Sequence, residues 1–109
     1  MSYTVQYQLV RRSADVVFFT KYAALLPAND PVHIASAALV AAHTADSFTE
    51  TVTLSDDKLT LTRVVNYGTL DAYNAYLAAN AALIRIVQNA KVAYETANNI
   101  TTTTTVLTS

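Results

Sequence analysis

Residues 48–67 alternate between apolar and polar side chains in two runs, which is the pattern of a β-hairpin. The runs 48–54 and 59–67 flank the polar stretch 55–58, whose composition is typical of a turn. A period of two places every second side chain on the same face of a sheet. The chain is therefore predicted to contain a central antiparallel strand pair, and its remaining segments have to be arranged around that pair.

Two charged residues interrupt the apolar face of this hairpin. With Asp56 and Asp57 as the loop, Glu50 is predicted to lie directly opposite Arg63. A guanidinium group forms two parallel hydrogen bonds with a carboxylate, so Arg63 is a candidate for binding a ligand carboxylate, with Glu50 orienting it. The alternative is a half-solvated cross-strand ion pair that contributes less than about 1 kcal/mol. The other members of the face are Phe48, Val52, Leu54, Leu59, Leu61 and Val65.

The segments before the hairpin predict one strand and one helix. Residues 3–11 alternate cleanly and predict the first strand. Asp30 is a good N-cap and Pro31 suits the first helical position, so a helix is predicted from there to about Ala45. Residues 14–26 are compatible with either an extended segment or a helical turn, and their conformation stays open.

The segments after the hairpin predict helix and then strand. Gly68 ends the second hairpin strand, and Thr69 caps a helical region that reaches about residue 97. Asn80 leaves open whether this region is one helix or two. Ile100 to Leu107 include five consecutive threonines and predict a final strand, because threonine is β-branched. The order β-α-β-β-α-β is that of the split βαβ, or ferredoxin-like, fold of the α+β class, with helices on one face of an antiparallel sheet.

The second face of the predicted sheet is almost free of charge. It would present Thr4, Gln6, Gln8, Val10, Thr49, Thr51, Thr53, Thr60, Thr62, Val64 and Asn66. A face directed at bulk water normally has lysine and glutamate side chains. We therefore predict that the Thr/Gln-rich face is the contact of a homodimer, the alternative being a threonine-rich solvent face.

Composition limits the class of protein. A length of 109 residues indicates a single domain, 1–109. Only 14% of the residues are charged, against about 25% in an average soluble domain, which favours an oligomer. Seven Lys and Arg residues with a net charge of −1 argue against nucleic acid, and no apolar run is long enough to span a membrane. The absence of Cys excludes disulfides and thiolate chemistry, and with no signal peptide at the start a cytoplasmic location is expected.

The passage Tyr67-Gly68-Thr69-Leu70-Asp71-Ala72-Tyr73 leads from a strand into a helix. With the tyrosine-rich first strand and the order of elements, it resembles the dimeric α+β barrel branch of the ferredoxin-like proteins. The chain also resembles small ferredoxin-like proteins known from marine environmental and phage sequence. This resemblance implies two sheets packed face to face in a dimer.

Aromatic and alanine residues predict an apolar slot between sheet and helices. Both helical regions have alanine runs, and small side chains that face a sheet leave a gap. Such a slot, with Arg63 at its polar end, suits an apolar or amphipathic ligand with a carboxylate head, for example a fatty acid. The alternative is that the rings only pack the core and the dimer contact. The predicted ligand-binding residues are Tyr7, Phe19, Glu50, Arg63, Tyr67, Tyr73 and Tyr76.

Two other functions remain open. One is a cofactor-free enzyme of the monooxygenase or isomerase type on the resembled fold. Monooxygenases of that fold hold their substrates with Tyr, Asn, His and Arg side chains, and Asn66, Tyr67 and Arg63 are similar to that set. A structural or assembly module of the phage type would instead use the threonine-rich face. No catalytic residue and no cofactor is predicted.

The two histidines do not predict a metal site. His33 and His43 are separated by roughly 15 Å along one helix and point in different directions, so they cannot share a metal ion. His43 lies in the last helical turn, where the helix dipole is expected to favour its charged form.

Overall fold

The computed structural model describes residues 2–108 and forms an α+β fold with a four-stranded antiparallel sheet and four helices. The strands are β1 (Thr4–Val10), β2 (Thr49–Leu54), β3 (Thr60–Asn66) and β4 (Thr101–Thr108). The helices are α1 (Phe19–Leu25), α2 (Pro31–Ala45), α3 (Leu70–Ala79) and α4 (Ala81–Asn98). Among the described residues, no helix combines the length and the apolar character that a bilayer span requires.

The strands lie in the order β2-β3-β1-β4, and each neighbouring pair is antiparallel. Strands β1 and β2 are consequently parallel but not adjacent, and the same is true of β3 and β4. The chain order is β1-α1-α2-β2-β3-α3-α4-β4, so the predicted β-α-β-β-α-β order is not matched element for element. Each of the connections β1–β2 and β3–β4 contains two helices. Pro27 ends α1 before α2 begins, and Asn80 separates α3 from α4.

The helix ends follow from local side-chain chemistry. Asp30 accepts a hydrogen bond from the Val32 backbone N–H at 2.8 Å, as expected of an N-cap before Pro31. Thr69 caps α3 in the same way, through the Ala72 N–H at 3.0 Å. Asn99 adopts the left-handed conformation (φ 56°) that ends α4. These predicted boundaries are confirmed, and residues 14–26 contain the short helix α1 after an irregular stretch.

The hairpin exists, but its predicted register is wrong by two residues. Glu50 pairs with Val65, Val52 with Arg63 and Leu54 with Leu61, so Glu50 and Arg63 are diagonal neighbours. The connection is longer than the predicted Asp56-Asp57 loop. Asp57 accepts hydrogen bonds from the Ser55 hydroxyl and the Leu59 N–H, and Lys58 adopts a positive φ of 63°. These contacts hold Leu59 in the connection instead of in the strand, while the shift of two preserves which side chains share a face.

Strands β1 and β3 bury one face against the helices, as their alternation predicts, whereas β2 stays exposed. One group of buried residues consists of Val5, Val65 and Tyr67, and the other of Leu9, Phe18 and Ile100. Within residues 2–108, no helix packs on the opposite face of the sheet. Its Thr, Gln, Val and Asn side chains are exposed or half-buried, and none of the strand residues on that face is charged.

Arg11 joins three segments at one end of the sheet. Its guanidinium donates to the Lys58 carbonyl from Nε (2.9 Å) and Nη2 (2.7 Å) and to the Val16 carbonyl from Nη1 (2.7 Å). The guanidinium carbon also lies 4.4 Å from the centre of the Phe18 ring. Arg11 is 9% exposed, so carbonyl dipoles and an aromatic face take the place of water around this buried cation.

Candidate functional site

Rings from the sheet and from two helices meet in one group, which we call the aromatic cluster. Tyr67, directly after β3, lies at its centre, with ring centroids of Tyr73 and Phe48 at 4.6 and 4.9 Å from its own. The His43 ring, from the last turn of α2, is 5.0 Å from the Tyr76 ring and nearly perpendicular to it. The members of the cluster are Tyr3, Tyr7, His43, Phe48, Tyr67, Tyr73 and Tyr76.

The polar tips of the rings pair with one another. The hydroxyl groups of Tyr7 and Tyr67 are hydrogen-bonded at 2.8 Å, and the Tyr76 hydroxyl lies 3.1 Å from Nε2 of His43. Tyr67 is only 4% exposed, and burial together with the Tyr7 hydrogen bond raises its pKa well above the ordinary value of 10.0. Tyr67 is therefore a neutral phenol at physiological pH, able to orient a partner but not to act as a base.

Arg63 lies at the border of the aromatic cluster. It pairs with Tyr7 across β1 and β3, and its guanidinium carbon is 5.6 Å from the centre of the Tyr7 ring. Its Nε donates to the carboxylate of Glu50 at 2.6 Å. In the part of the chain that the structure describes, Nη1 and Nη2 of Arg63 form no hydrogen bond. Four N–H donors, two on each of these nitrogens, are thus left for another group on a half-exposed guanidinium.

An uncovered apolar surface adjoins Arg63 on the helix side of β2. The sequence predicts that Val52 and Leu54 lie under the helices, but they are 50% and 45% exposed. This prediction is wrong because the helices do not extend over that edge of the sheet. Val52 is the direct strand partner of Arg63, so a cation borders the exposed apolar side chains. We call Val52, Leu54 and Leu61 the apolar shelf.

The structure brings six of the seven predicted site residues together. Tyr7, Tyr67, Tyr73 and Tyr76 belong to the aromatic cluster, and Glu50 and Arg63 lie at its border. Phe19 lies elsewhere, buried at the start of α1 with its ring 6.0 Å from that of Tyr94. Sequence reasoning omitted three members of the cluster. Phe48 and Tyr3 continue the apolar alternation of their strands, and this pattern could have placed them in the cluster. Nothing in the sequence indicates that His43 points toward the sheet.

The expectation for the charge of His43 is wrong. Its pKa is lowered from 6.5, first by burial and then by the positive charge of Arg63, and Glu50 and Asp46 offset only part of this. The helix dipole favours the cation, but the ring packs among aromatic side chains that cannot solvate it. His43 is consequently more neutral than an exposed histidine.

The lowered pKa of His43 predicts a dependence of stability on pH. His43 binds a proton more readily in the unfolded chain than in the folded one. Its contribution to the free energy of unfolding is therefore fully present above about pH 6.5, where the residue is neutral in both states. It is lost as the pH falls from there through the lowered pKa of the folded state. When the pH is lowered from about 8 to about 5, we expect the urea concentration at the unfolding midpoint to fall more for the native chain than for His43→Gln. Parallel curves for the two proteins would contradict this assignment.

Two concave regions of the surface lie away from the aromatic cluster. A groove of about 530 Å³ is lined by Tyr22 and Tyr94, and a polar depression of about 320 Å³ lies beside Lys91 and Glu95. Within residues 2–108, the His, Asp and Glu side chains form no group of three or more that could hold a metal ion. The candidate site is the apolar shelf with Arg63 and the adjoining face of the aromatic cluster, because a cation with unused donors there borders exposed apolar side chains.

Comparison of the chain with family models, with curated proteins and with solved structures finds no match.

Proposed function

We propose that the chain is a dimeric ferredoxin-like protein that binds a small apolar or amphipathic molecule with a carboxylate head on the helix side of the sheet, against the apolar shelf beside Arg63, rather than in the slot between sheet and helices that the sequence predicts. The observation that carries this proposal is the position of Arg63. Nη1 and Nη2 of its guanidinium have four unused N–H donors, and the group lies between a packed group of rings and the apolar shelf. A cation beside an uncovered apolar surface is complementary to an amphipathic anion.

The apolar part of the ligand would cover the shelf. Val52 and Leu54 are large apolar side chains on the helix side of the sheet, where helix packing is expected but absent. Burying apolar area contributes roughly 25 cal/mol per Å², so covering these side chains favours association. The aromatic cluster is closely packed, and the ligand would therefore lie against its edge rather than inside it.

The carboxylate of the ligand would bind Arg63 beside or in place of Glu50. The Glu50–Arg63 pair is half-exposed and uses only Nε of the guanidinium. An exposed pair of this kind contributes about 1 kcal/mol or less, so exchange for a bidentate ligand carboxylate costs little. Glu50 then acts as a resident competitor that weakens binding of anions without an apolar tail.

The arrangement of the sheet supports the ferredoxin-like part of the proposal. Strands that are parallel but not adjacent are connected through helices, and the two middle strands in sequence form a hairpin. Treating each helix pair as one layer gives the split βαβ order. The doubled helices are a departure from the plain pattern.

The uncovered sheet face supports the dimer. Four strands at about 4.8 Å spacing, each of six to eight residues, form a sheet whose flat area is roughly 400 Å² per copy. Two such faces give roughly 800 Å² as flat areas, and the side chains that project from them raise the buried surface toward the lower end of stable interfaces, about 1,200 Å² in total. The strand residues on this face are uncharged, so two copies meet without burying an unpaired charge.

Arg63→Leu tests ligand binding. We expect decanoate, titrated into labelled protein and followed by NMR, to shift the amides of Val52, Leu54 and Arg63 in a saturable way. Loss of the guanidinium should weaken binding about tenfold or more, because hydrogen bonds to charged groups contribute about 1.5–3 kcal/mol. Arg85→Leu removes an exposed arginine from α4 and is the matched control. Equal affinity of Arg63→Leu and the native chain would leave the Glu50–Arg63 pair with a structural role only.

Thr62→Lys tests the dimer. Analytical ultracentrifugation of the native chain is expected to give twice the 11.8 kDa mass of one chain. A lysine in the middle of the uncharged face should shift the protein to monomer, since two like charges would be buried together. Thr96→Lys places the same charge on the exposed side of α4 and should leave the dimer intact. A monomeric native chain would contradict the dimer, and a larger oligomer would favour the assembly-module alternative.

A further inference from the structure

The groove of about 530 Å³ lies away from Arg63, between α1, the start of α2 and the last half of α4. Its floor is formed by Ala90, Ala93 and Ala97, which lie on one face of α4 because they are spaced by three and four residues. Tyr22 and Tyr94 form its aromatic wall, with ring centroids 4.2 Å apart and an interplanar angle of 28°. The groove opens to solvent, since Tyr22, Ala93 and Ala97 are exposed.

The polar groups of the groove are negative or neutral. Asp30 contributes a carboxylate of which Oδ1 accepts from the Val32 N–H, and Asn98 contributes an amide. Of the described residues that line the groove, none is Lys, Arg or His. The apolar walls and the single carboxylate make the groove unsuited to a fatty-acid head group.

Helix ends add to this charge pattern. Both α1 and α4 terminate at the groove, where Leu26 and Asn98 line it, and a helix C-terminus has a partial negative charge. The N-terminus of α2 also lies at the groove and has a partial positive charge. The carboxylate of Asp30, which caps this helix, offsets that charge. The local field around the groove therefore favours a cation over an anion.

We propose that this groove binds a small organic cation with an apolar or aromatic body, such as an alkyl- or arylammonium compound. The body packs on the alanine floor, and the cation lies over the outer face of the Tyr22 ring, which is the exposed member of the stacked pair, on the side of Asp30. This charge preference is opposite to that of Arg63 and the apolar shelf, so the two sites are independent. Either one stands if the other fails.

The test is an NMR titration of the labelled protein with benzyltrimethylammonium, with phenylacetate as the anionic counterpart. The ammonium probe is expected to give saturable shifts of the amides of Ala90, Ala93, Tyr94 and Ala97, with no change at Arg63. Phenylacetate is expected to leave these amides unchanged. Saturable shifts of the groove by both probes, or by neither, would overturn the proposal.

Two variants complete the test. Asp30→Asn removes the charge but keeps a good N-cap, so α2 is retained and affinity for the ammonium probe should fall about fivefold. Ala93→Leu fills the groove from an exposed helix position and should abolish binding. Ala78→Leu, at an exposed position of α3, is the control and should bind as the native chain does. Unchanged affinity in both Asp30→Asn and Ala93→Leu would overturn the proposal.

Discussion

Tyr67→Ala is expected to lower the free energy of unfolding by about 3–5 kcal/mol, as truncation of a buried aromatic side chain commonly does. Tyr67 packs on Val5 and Val65, and its ring lies within about 5 Å of Phe48 and Tyr73. Removing it opens a cavity between sheet and helices that surrounding rings cannot fill without leaving their own contacts. Urea denaturation followed by circular dichroism measures the loss.

Tyr67→Phe separates the ring from its hydroxyl group. It keeps the packing but removes the hydrogen bond with Tyr7, and should cost only about 1 kcal/mol. A matched truncation, Tyr22→Ala, removes a ring that is 36% exposed and should cost clearly less than Tyr67→Ala. If Tyr67→Ala and Tyr22→Ala lowered stability equally, the aromatic cluster would not be a major part of the core.

Arg11→Met is expected to cost about 2–4 kcal/mol, although it replaces a charged residue with an apolar one of similar length. The substitution deletes three charged hydrogen bonds and leaves the carbonyls of Val16 and Lys58 without this partner. Hydrogen bonds to charged groups contribute about 1.5–3 kcal/mol each, and burial of the methionine recovers part of the loss. Thermal and urea unfolding give the measurement.

Arg11→Lys tests whether the fork of the guanidinium matters. An ammonium group retains the charge but cannot span both carbonyls in the same planar geometry, so an intermediate loss is expected. Arg12→Met, at the exposed neighbouring position, should be nearly neutral. A stability of Arg11→Met within experimental error of the native chain would mean that the Lys58 and Val16 carbonyls are satisfied by water instead.

The strand pattern could be predicted because alternation determines the face of each side chain independently of register. This is why Tyr7, Glu50, Arg63 and Val65 were assigned to the correct side although the pairing of the hairpin was shifted by two. The register itself depends on the connection, where Ser55 and Asp57 exchange hydrogen bonds and Lys58 takes a positive φ. A positive φ is normally indicated by Gly, Asn or Asp and not by lysine, so the longer loop could not be predicted from the residue at position 58.

The parts that could not be predicted depend on contacts between distant segments. His43 joins the aromatic cluster because α2 ends above Phe48, and Arg11 is buried because the 14–18 segment and the hairpin connection both bring carbonyls to it. Neither contact has a local sequence signal, since each residue alone resembles a surface cation. The exposure of Val52 and Leu54 depends equally on how far the helices extend, which alternation does not specify.

Strand β4 determines how readily the edge of the sheet can pair with a strand of another molecule. It is an outer strand of the sheet, and its residues Thr101–Thr108 contain no charge and no proline, the usual deterrents to pairing with another molecule. The register of its pairing with β1 shifts between Thr4 and Val5, which is an irregularity of the kind that bends a strand away from a flat template. Of the usual deterrents to edge pairing, β4 therefore has one, a local break in register near its C-terminal end, while the rest of the strand leaves its outer backbone groups open to another strand.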